Sequence, residues 1–150
     1  MKRKRFNWNS LLKLGDKYRT DAEKCLRSRA YFAGLVAVRA ALETMLIARF
    51  LLEVMEWSTK KRKQFGITVR HNVIEVHGEV RLYELIHEAY RQGLIDKSGW
   101  EAANRIREWG NKIHCGQVAG GKKLPVISGR NLKARLNDLN VVYDQLLRTI

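Results

Sequence analysis

The sequence has little of what interrupts a helix or cross-links a chain. Its 150 residues include one proline, Pro125, and two cysteines, Cys25 and Cys115. Because proline is the strongest helix breaker, almost the whole chain is free to be helical. The two cysteines are far apart in sequence, so their spacing predicts neither a CxxC metal clip nor a disulfide framework, and we expect a reducing, cytoplasmic compartment.

Acidic residues are also scarce. The chain has 15 Asp and Glu against 29 Lys and Arg, which gives a formal net charge of +14. Such a surface attracts polyanions, so RNA, DNA or an anionic membrane are the first partners to consider. The alternatives are a surface charged only for solubility and an acidic partner protein.

The chain lacks a long apolar run that is free of charge. The most apolar stretch, Tyr31–Met55, carries Arg39, Glu43, Arg49 and Glu53. Ionisable side chains at the depth of a bilayer are costly, so we interpret this stretch as a long helix of a soluble protein and expect no membrane partner.

Length and composition predict one domain over residues 1–150. Hydrophobic residues make up 45% of the chain, which is enough for one sizeable core. Residues 1–18 are expected to be a basic N-terminal extension. The basic start is not followed by the apolar core of a secretory signal, so we expect no secretory targeting segment. Thr20–Glu23 has the spacing of a capping box, which predicts a helix from Thr20 toward Arg29.

Apolar residues at helical spacing predict four further helices: Tyr31–Glu56, a helix from about Leu82 that ends at Gly93, Ser98–His114, and one from about Leu132 to Ile150. Amphipathic helices in one short chain must bury their apolar faces against each other, so we expect an all-α fold, an antiparallel bundle of four to five helices. The alternative is a helical subunit that completes its core only as a dimer.

Two segments do not follow helical spacing. Residues 59–78 contain the basic run Lys60–Lys63 and a β-prone stretch around His71, which together predict a loop with a short β-hairpin. Residues 116–130 contain four glycines and Pro125, which predict a mobile loop.

The predicted helix Ser98–His114 has two distinct faces. Four apolar residues are expected to form its core face: Ala102, Ile106, Trp109 and Ile113. Arg107, Asn111 and His114 fall on a second arc, roughly 110–170° away around the helix axis. Between the arcs lie Ala103 and Gly110, whose small side chains suggest that another backbone or a ligand approaches closely. They would let the same helix of a second copy pack against this one in a dimer.

Arginine, asparagine and histidine together suit RNA transesterification. Attack of a ribose 2′-hydroxyl on the adjacent phosphate needs a base with a pKa near neutrality, which His114 supplies. The phosphorane gathers negative charge, for which the Arg107 guanidinium is a good partner, and Asn111 can orient the imidazole or hold a phosphate oxygen. This chemistry requires no metal.

The segment Ile106–His114 resembles the Arg-x(4–6)-His motif of the HEPN superfamily, with six residues between Arg107 and His114. The Gly110-Asn111 step, and Arg39–Glu43 upstream as Arg-x-x-Leu-Glu, are similar to a HEPN-like bacterial domain family of unknown function. The resemblance implies a helical homodimer whose motif helices face each other across a basic cleft that cleaves RNA without metal. Members are often toxins or defence effectors, and many relatives are catalytically silent binding or assembly modules.

Further residues receive predicted roles. Those expected to contact nucleic acid are Lys60, Lys61, Arg62, Lys63, Trp100, Lys112, Lys122 and Lys123. Arg39 and Glu43 are expected to form an i,i+4 ion pair with a structural role. A structural role is also expected for Gly110. The histidines have no metal-ligand spacing, so we expect neither a metal nor a cofactor. Beyond RNA and a second copy, an antitoxin or another partner protein is a further candidate partner.

Overall fold

The computed structural model describes residues 8–71, 73–76, 81–113, 119–123 and 125–150. Within these ranges the chain forms six α-helices and one antiparallel β-hairpin. The elements are α1 Trp8–Arg27, α2 Tyr31–Leu51, a 3₁₀ turn Val54–Glu56, α3 Thr59–Gln64, β1 Ile67–Arg70, β2 Val73–Val76, α4 Leu82–Arg91, α5 Lys97–Lys112 and α6 Gly129–Arg148. The predicted all-α helical bundle with a short hairpin is confirmed.

Helix α2 lies at the centre of the bundle. It contacts α1, α4, α5 and α6, and α5 in turn packs against α4 and α6. Most of the largest fully buried side chains come from these packed helices other than α1: Leu35, Leu42, Leu46, Phe50, Ile86, Ile106, Leu132, Leu139 and Leu146. This central position explains why α2 is the most apolar part of the sequence.

By length and composition alone, α2 is apolar enough to cross a membrane. About 50% of its most apolar window is buried inside the bundle, as in the core helix of a globular protein. Arg49, 7% exposed, is neutralised by Glu53 at 2.8 Å and donates to the Thr149 carbonyl. The helix ends at Leu51, so the prediction that it continues to Glu56 is wrong in its last turn.

The first helix begins earlier than predicted. α1 starts at Trp8, whose indole donates to the Ala48 carbonyl of α2, so residues 8–18 are half of a packed helix and not part of an extension. Thr20 lies inside α1 and does not cap it. Gly15 is buried where a methyl group would meet Tyr143 and Met45.

The basic run also departs from prediction. Residues 60–63 lie in α3, which begins after the cap Ser58, and are not part of a loop. The hairpin follows as expected, with Ile67 opposite Val76 and Arg70 opposite Val73. His71, in the turn, has a φ of 49°, a left-handed conformation typical of tight hairpin turns.

The end of α4 and the starts of α5 and α6 can be compared with the predicted boundaries. Gly93, with a φ of 73°, follows α4 as predicted. α5 is capped by Asp96, which accepts from the Gly99 amide at 3.0 Å, so the predicted cap at Ser98 is wrong. α6 begins at Gly129, so residues 129–130 are helical, while 116–118 and 124 of the predicted loop lie outside the described residues.

Hydrogen bonds join the start of α5 to α6. Gln145 accepts from the Asp96 amide and donates to its Oδ1, both at 2.9 Å. Hydrogen bonds from Ser98, from the Gly99 amide and from Gln145 lower the pKa of Asp96 to about 2. A side chain at Gly99 would collide with Gln145, which explains the glycine. The register of α5 against the bundle is therefore fixed at its first turn.

Candidate functional site

The buried face of α5 is not the one that the sequence predicts. The residues with least exposure are Gly99, Ala102, Ala103, Asn104, Ile106 and Gly110. At about 100° per residue, Ala103 and Gly110 lie near the centre of this arc. Trp109 and Ile113, predicted for the core, are only half-buried. The face is shifted because α5 packs against α2 and α4 as well as α6.

Gly110 is in contact with a side chain of its own bundle. A Cβ at this position would lie 2.7 Å from Cδ and 2.9 Å from Nη1 of Arg39. Ala103 is 0% exposed. The prediction that these two small residues let a second motif helix approach is therefore wrong, because α2 already occupies that space.

Arg39 reaches the motif from α2. Its Nη1 donates to Asn111 Oδ1 at 3.0 Å. The predicted ion pair between Arg39 and Glu43 is not formed, since their charged groups are not within 4 Å of each other. The i,i+4 spacing permits that pair, but Asn111 provides an acceptor across the helix interface instead.

Arg107 is held on the same flank of α5. Its Nε donates to Asn104 Oδ1 at 3.1 Å, and its guanidinium lies 5.3 Å from the centre of the Tyr83 ring. Asn104, 8% exposed, also donates to the Trp100 carbonyl at 3.0 Å. The Arg107 side chain is 23% exposed, so it lies at the edge of the bundle and not on a free face.

A groove opens beside Arg107 between α4 and α5, with a volume of about 380 Å³. We call it the α4–α5 groove, and its lining residues are Tyr83, Trp100, Glu101, Asn104, Arg105, Arg107 and Glu108. Its volume is within the roughly 300–1,000 Å³ of small-ligand pockets. The groove thus brings Arg107 and Trp100 together, two residues that the sequence nominated for separate roles.

His114, the predicted base, lies outside the described residues. The described part of α5 ends with Lys112, and Ile113 follows as its cap. Asn111, whose side chain accepts from Arg39, is three residues before His114 in sequence.

The basic run of α3 divides into structural and exposed residues. Lys61 forms a 2.6 Å ion pair with Glu88 and lies 4.3 Å from the centre of the Trp57 ring. Arg62 donates to the carbonyls of Val54 and Met55. These contacts place both residues in the packing of α3 against the bundle.

Lys60 and Lys63 are exposed, as are Lys122 and Lys123. Lys112 is exposed and lies 4.1 Å from the centre of the Trp109 ring. These five lysines remain candidates for contacts to nucleic acid.

Among the carboxylates near α3 and α4, Glu88 has the pKa that departs most from its ordinary value. Its side chain, 10% exposed, accepts from Arg91, Lys61 and Gln92. The hydrogen bond from Arg91, together with those from Lys61 and Gln92, lowers the pKa of Glu88 to about 2 although burial opposes this. This carboxylate therefore stays charged and serves as an anchor for α3.

Among the described ranges, no three His, Cys, Asp or Glu side chains come close enough to hold a metal ion. His71 and His87 belong to those ranges, whereas His77, His114 and Cys115 do not.

Sequence reasoning missed two residues of the site. Asn104 is a buried polar residue three positions before Arg107, and that spacing is the signal that links them. Tyr83 is half-exposed at the start of α4 and has no sequence signal that relates it to α5.

Comparison with models of known protein families gives no match, and neither the curated proteins nor the solved structures compared with the chain match it.

Proposed function

We propose that this chain is a metal-independent endoribonuclease of the HEPN type, with Arg107, Asn111 and His114 at its active site. The observation that carries the proposal is the hydrogen bond between Arg39 and Asn111, because it adds a second guanidinium to the motif. Two arginines and an amide directly before a histidine suit a phosphate that becomes more negative during reaction.

The reaction is transesterification followed by hydrolysis. His114 takes the proton of a ribose 2′-hydroxyl, whose oxygen forms a bond to the adjacent phosphorus while the bond from phosphorus to the 5′ oxygen breaks. Arg107 stabilises the charge of the phosphorane, and Asn111, held by Arg39, positions the reacting groups. The 5′ oxygen leaves with a proton from an acid, which in a two-fold dimer is His114 of a second copy. The first products carry 2′,3′-cyclic phosphate and 5′-hydroxyl ends.

A homodimer remains part of this proposal, on the resemblance alone. Arg39 fills the space beside Gly110, so the proposed dimer would join through another surface. Sedimentation of the purified chain at tens of micromolar, about the weak end of specific association, tests whether a dimer forms.

One observation favours a second function, a silent module that binds nucleic acid without cleaving it. Arg107 Nε and Asn111 Oδ1 are already engaged with Asn104 and Arg39. Hydrogen bonds within the protein give these two residues a structural role that requires no catalysis. Incubation of single-stranded RNA with the protein in EDTA separates the two functions, since only the nuclease produces cyclic phosphate ends.

A further inference from the structure

The α4–α5 groove has a mixed lining that does not suit a phosphate. Two guanidinium groups, from Arg105 and Arg107, and two carboxylates, from Glu101 and Glu108, line it, so their formal charges cancel. A phosphate in the groove would meet both carboxylates. A neutral molecule with donors and acceptors on its edge would instead find partners of both kinds.

The arginines of the groove are also already paired. Arg105 donates to both carboxylate oxygens of Asp138 on α6, with its shortest bond at 2.8 Å. Arg107 donates through Nε to Asn104, and its Nη2 lies 3.9 Å from Glu108. Because these contacts engage Arg105 and one side of Arg107, the interior of the groove offers little free positive charge, and the Arg107 guanidinium at its edge remains for a flanking phosphate.

Aromatic rings form part of the wall. Trp100 lines the groove from α5 and Tyr83, 51% exposed, lines it from α4. Each has a ring neighbour on α4: Tyr83 stacks on His87 with ring centres 6.0 Å apart, and Trp100 contacts Tyr90 at 5.7 Å. Tyr83, His87 and Tyr90 are exposed and Trp100 is half-buried. Aromatic rings beside polar groups are typical of surfaces that bind unpaired bases.

We propose that the α4–α5 groove binds one unpaired base of a single-stranded RNA, through the rings of Tyr83 and Trp100 and the polar edges of Glu101 and Glu108. This inference rests on the proposed function and deepens it, since it names the unpaired base as the feature of the substrate that is recognised. The phosphates that flank the base remain outside the groove.

The test compares two strands of equal length and charge. One is 2′-O-methyl hexaadenylate, which lacks the attacking hydroxyl and cannot be cut, and the other is an abasic strand with the same number of phosphates. The wild-type chain is expected to bind the base-bearing strand about tenfold more tightly, the size of one aromatic–base contact. Equal affinities for the two strands would overturn the proposal.

Substitutions of single aromatic residues test whether the preference for the base-bearing strand arises in the groove. Tyr83→Ala should remove most of the preference for bases while leaving affinity for the abasic strand unchanged. Phe32→Ala is the matched control, since Phe32 is a 45% exposed aromatic on α2 outside the groove, and it should keep the preference. A Tyr83→Ala chain that is folded by circular dichroism and retains the full preference would overturn the proposal.

Tryptophan fluorescence gives a second measurement on full-length protein. Binding of 2′-O-methyl hexaadenylate should quench the fluorescence of the Trp109→Phe chain, which retains Trp100. It should have little effect on the fluorescence of the Trp100→Phe chain. Equal quenching in both variants would contradict a base next to Trp100. The two proposals fail separately: base binding without cleavage of ordinary RNA removes the nuclease and keeps the groove, whereas cleavage without base preference does the reverse.

Discussion

The guanidinium of Arg39 on α2 donates a 3.0 Å hydrogen bond to Oδ1 of Asn111 on α5, although the two residues are 72 positions apart. Each belongs to one of the two segments that resemble the HEPN-like family, Arg39–Glu43 and Gly110-Asn111. The fold thus joins two stretches that the sequence shows only as separate short matches.

Removal of this contact should lower activity without unfolding the chain. In Arg39→Ala, Asn111 loses the partner that holds its amide, so we expect kcat/KM for RNA cleavage to fall by about 10- to 100-fold, less than the roughly 100- to 1,000-fold for loss of a donor that contacts the reacting oxygen itself. Arg39→Lys should retain part of the cleavage activity that Arg39→Ala loses. Arg130→Ala, which removes one exposed positive charge from α6, is the control for net charge and should cleave nearly as well as wild type.

Gly110→Ala should separate activity from stability. The new methyl group would displace the flexible end of Arg39, which lies 2.7 Å from the Cβ position, while alanine in a helix gains about 1 kcal/mol over glycine. We expect a melting temperature close to that of wild type and a loss of cleavage similar to that of Arg39→Ala. Wild-type activity in a folded Gly110→Ala chain would show that the contact is not needed.

The lysines of α3 should have different effects. Lys60→Ala and Lys63→Ala remove exposed charges, so RNA affinity should fall slightly and the salt dependence of binding should become less steep, by about 0.7 in log–log slope for each lost phosphate contact. Lys61→Ala breaks the 2.6 Å ion pair with Glu88 and should mainly lower the free energy of unfolding. Urea denaturation and salt titration of binding measure the two effects.

Glu88 should contribute to stability in a defined pH range. Because the folded-state pKa is about 2 against an ordinary 4.5, the stabilisation is complete above about pH 4.5 and is lost as the pH falls toward 2. Glu88→Gln should therefore lower the free energy of unfolding by about 2 kcal/mol at pH 7, and the difference from wild type should shrink on acidification. A difference that stays constant from pH 7 to pH 2.5 would contradict this assignment.

The sequence predicts the bundle well because apolar spacing is a local property. The periodicity of α2, α4 and α6 and the glycine after α4 depend only on neighbours along the chain. The first half of α1 was not predicted because the basic start indicates an extension, whereas Gly15 in this half lies against Tyr143 and Met45 of two other helices.

The part of the candidate site that depends on spacing along one helix was predicted, and the part that depends on packing between helices was not. Arg107 and Asn111 lie on one flank of α5, as their spacing requires. The partner of Arg107, Asn104, is three residues away on the same helix, a spacing that the sequence shows. The partner of Asn111, Arg39, follows from how α5 packs on α2, which the sequence does not show, and the same packing buries the strip of Ala103 and Gly110 that we expected at a dimer interface.

The most direct test of the proposed function is the cleavage of single-stranded RNA in EDTA by the wild-type chain and by His114→Ala and Arg107→Ala. We expect wild type to release products with 2′,3′-cyclic phosphate or 3′-phosphate ends, and both variants to be inactive while they remain folded. RNA binding should fall only modestly, because the other exposed basic residues are retained. Variants that cut as fast as wild type, or a wild-type chain that binds RNA and cuts no substrate, would contradict the account.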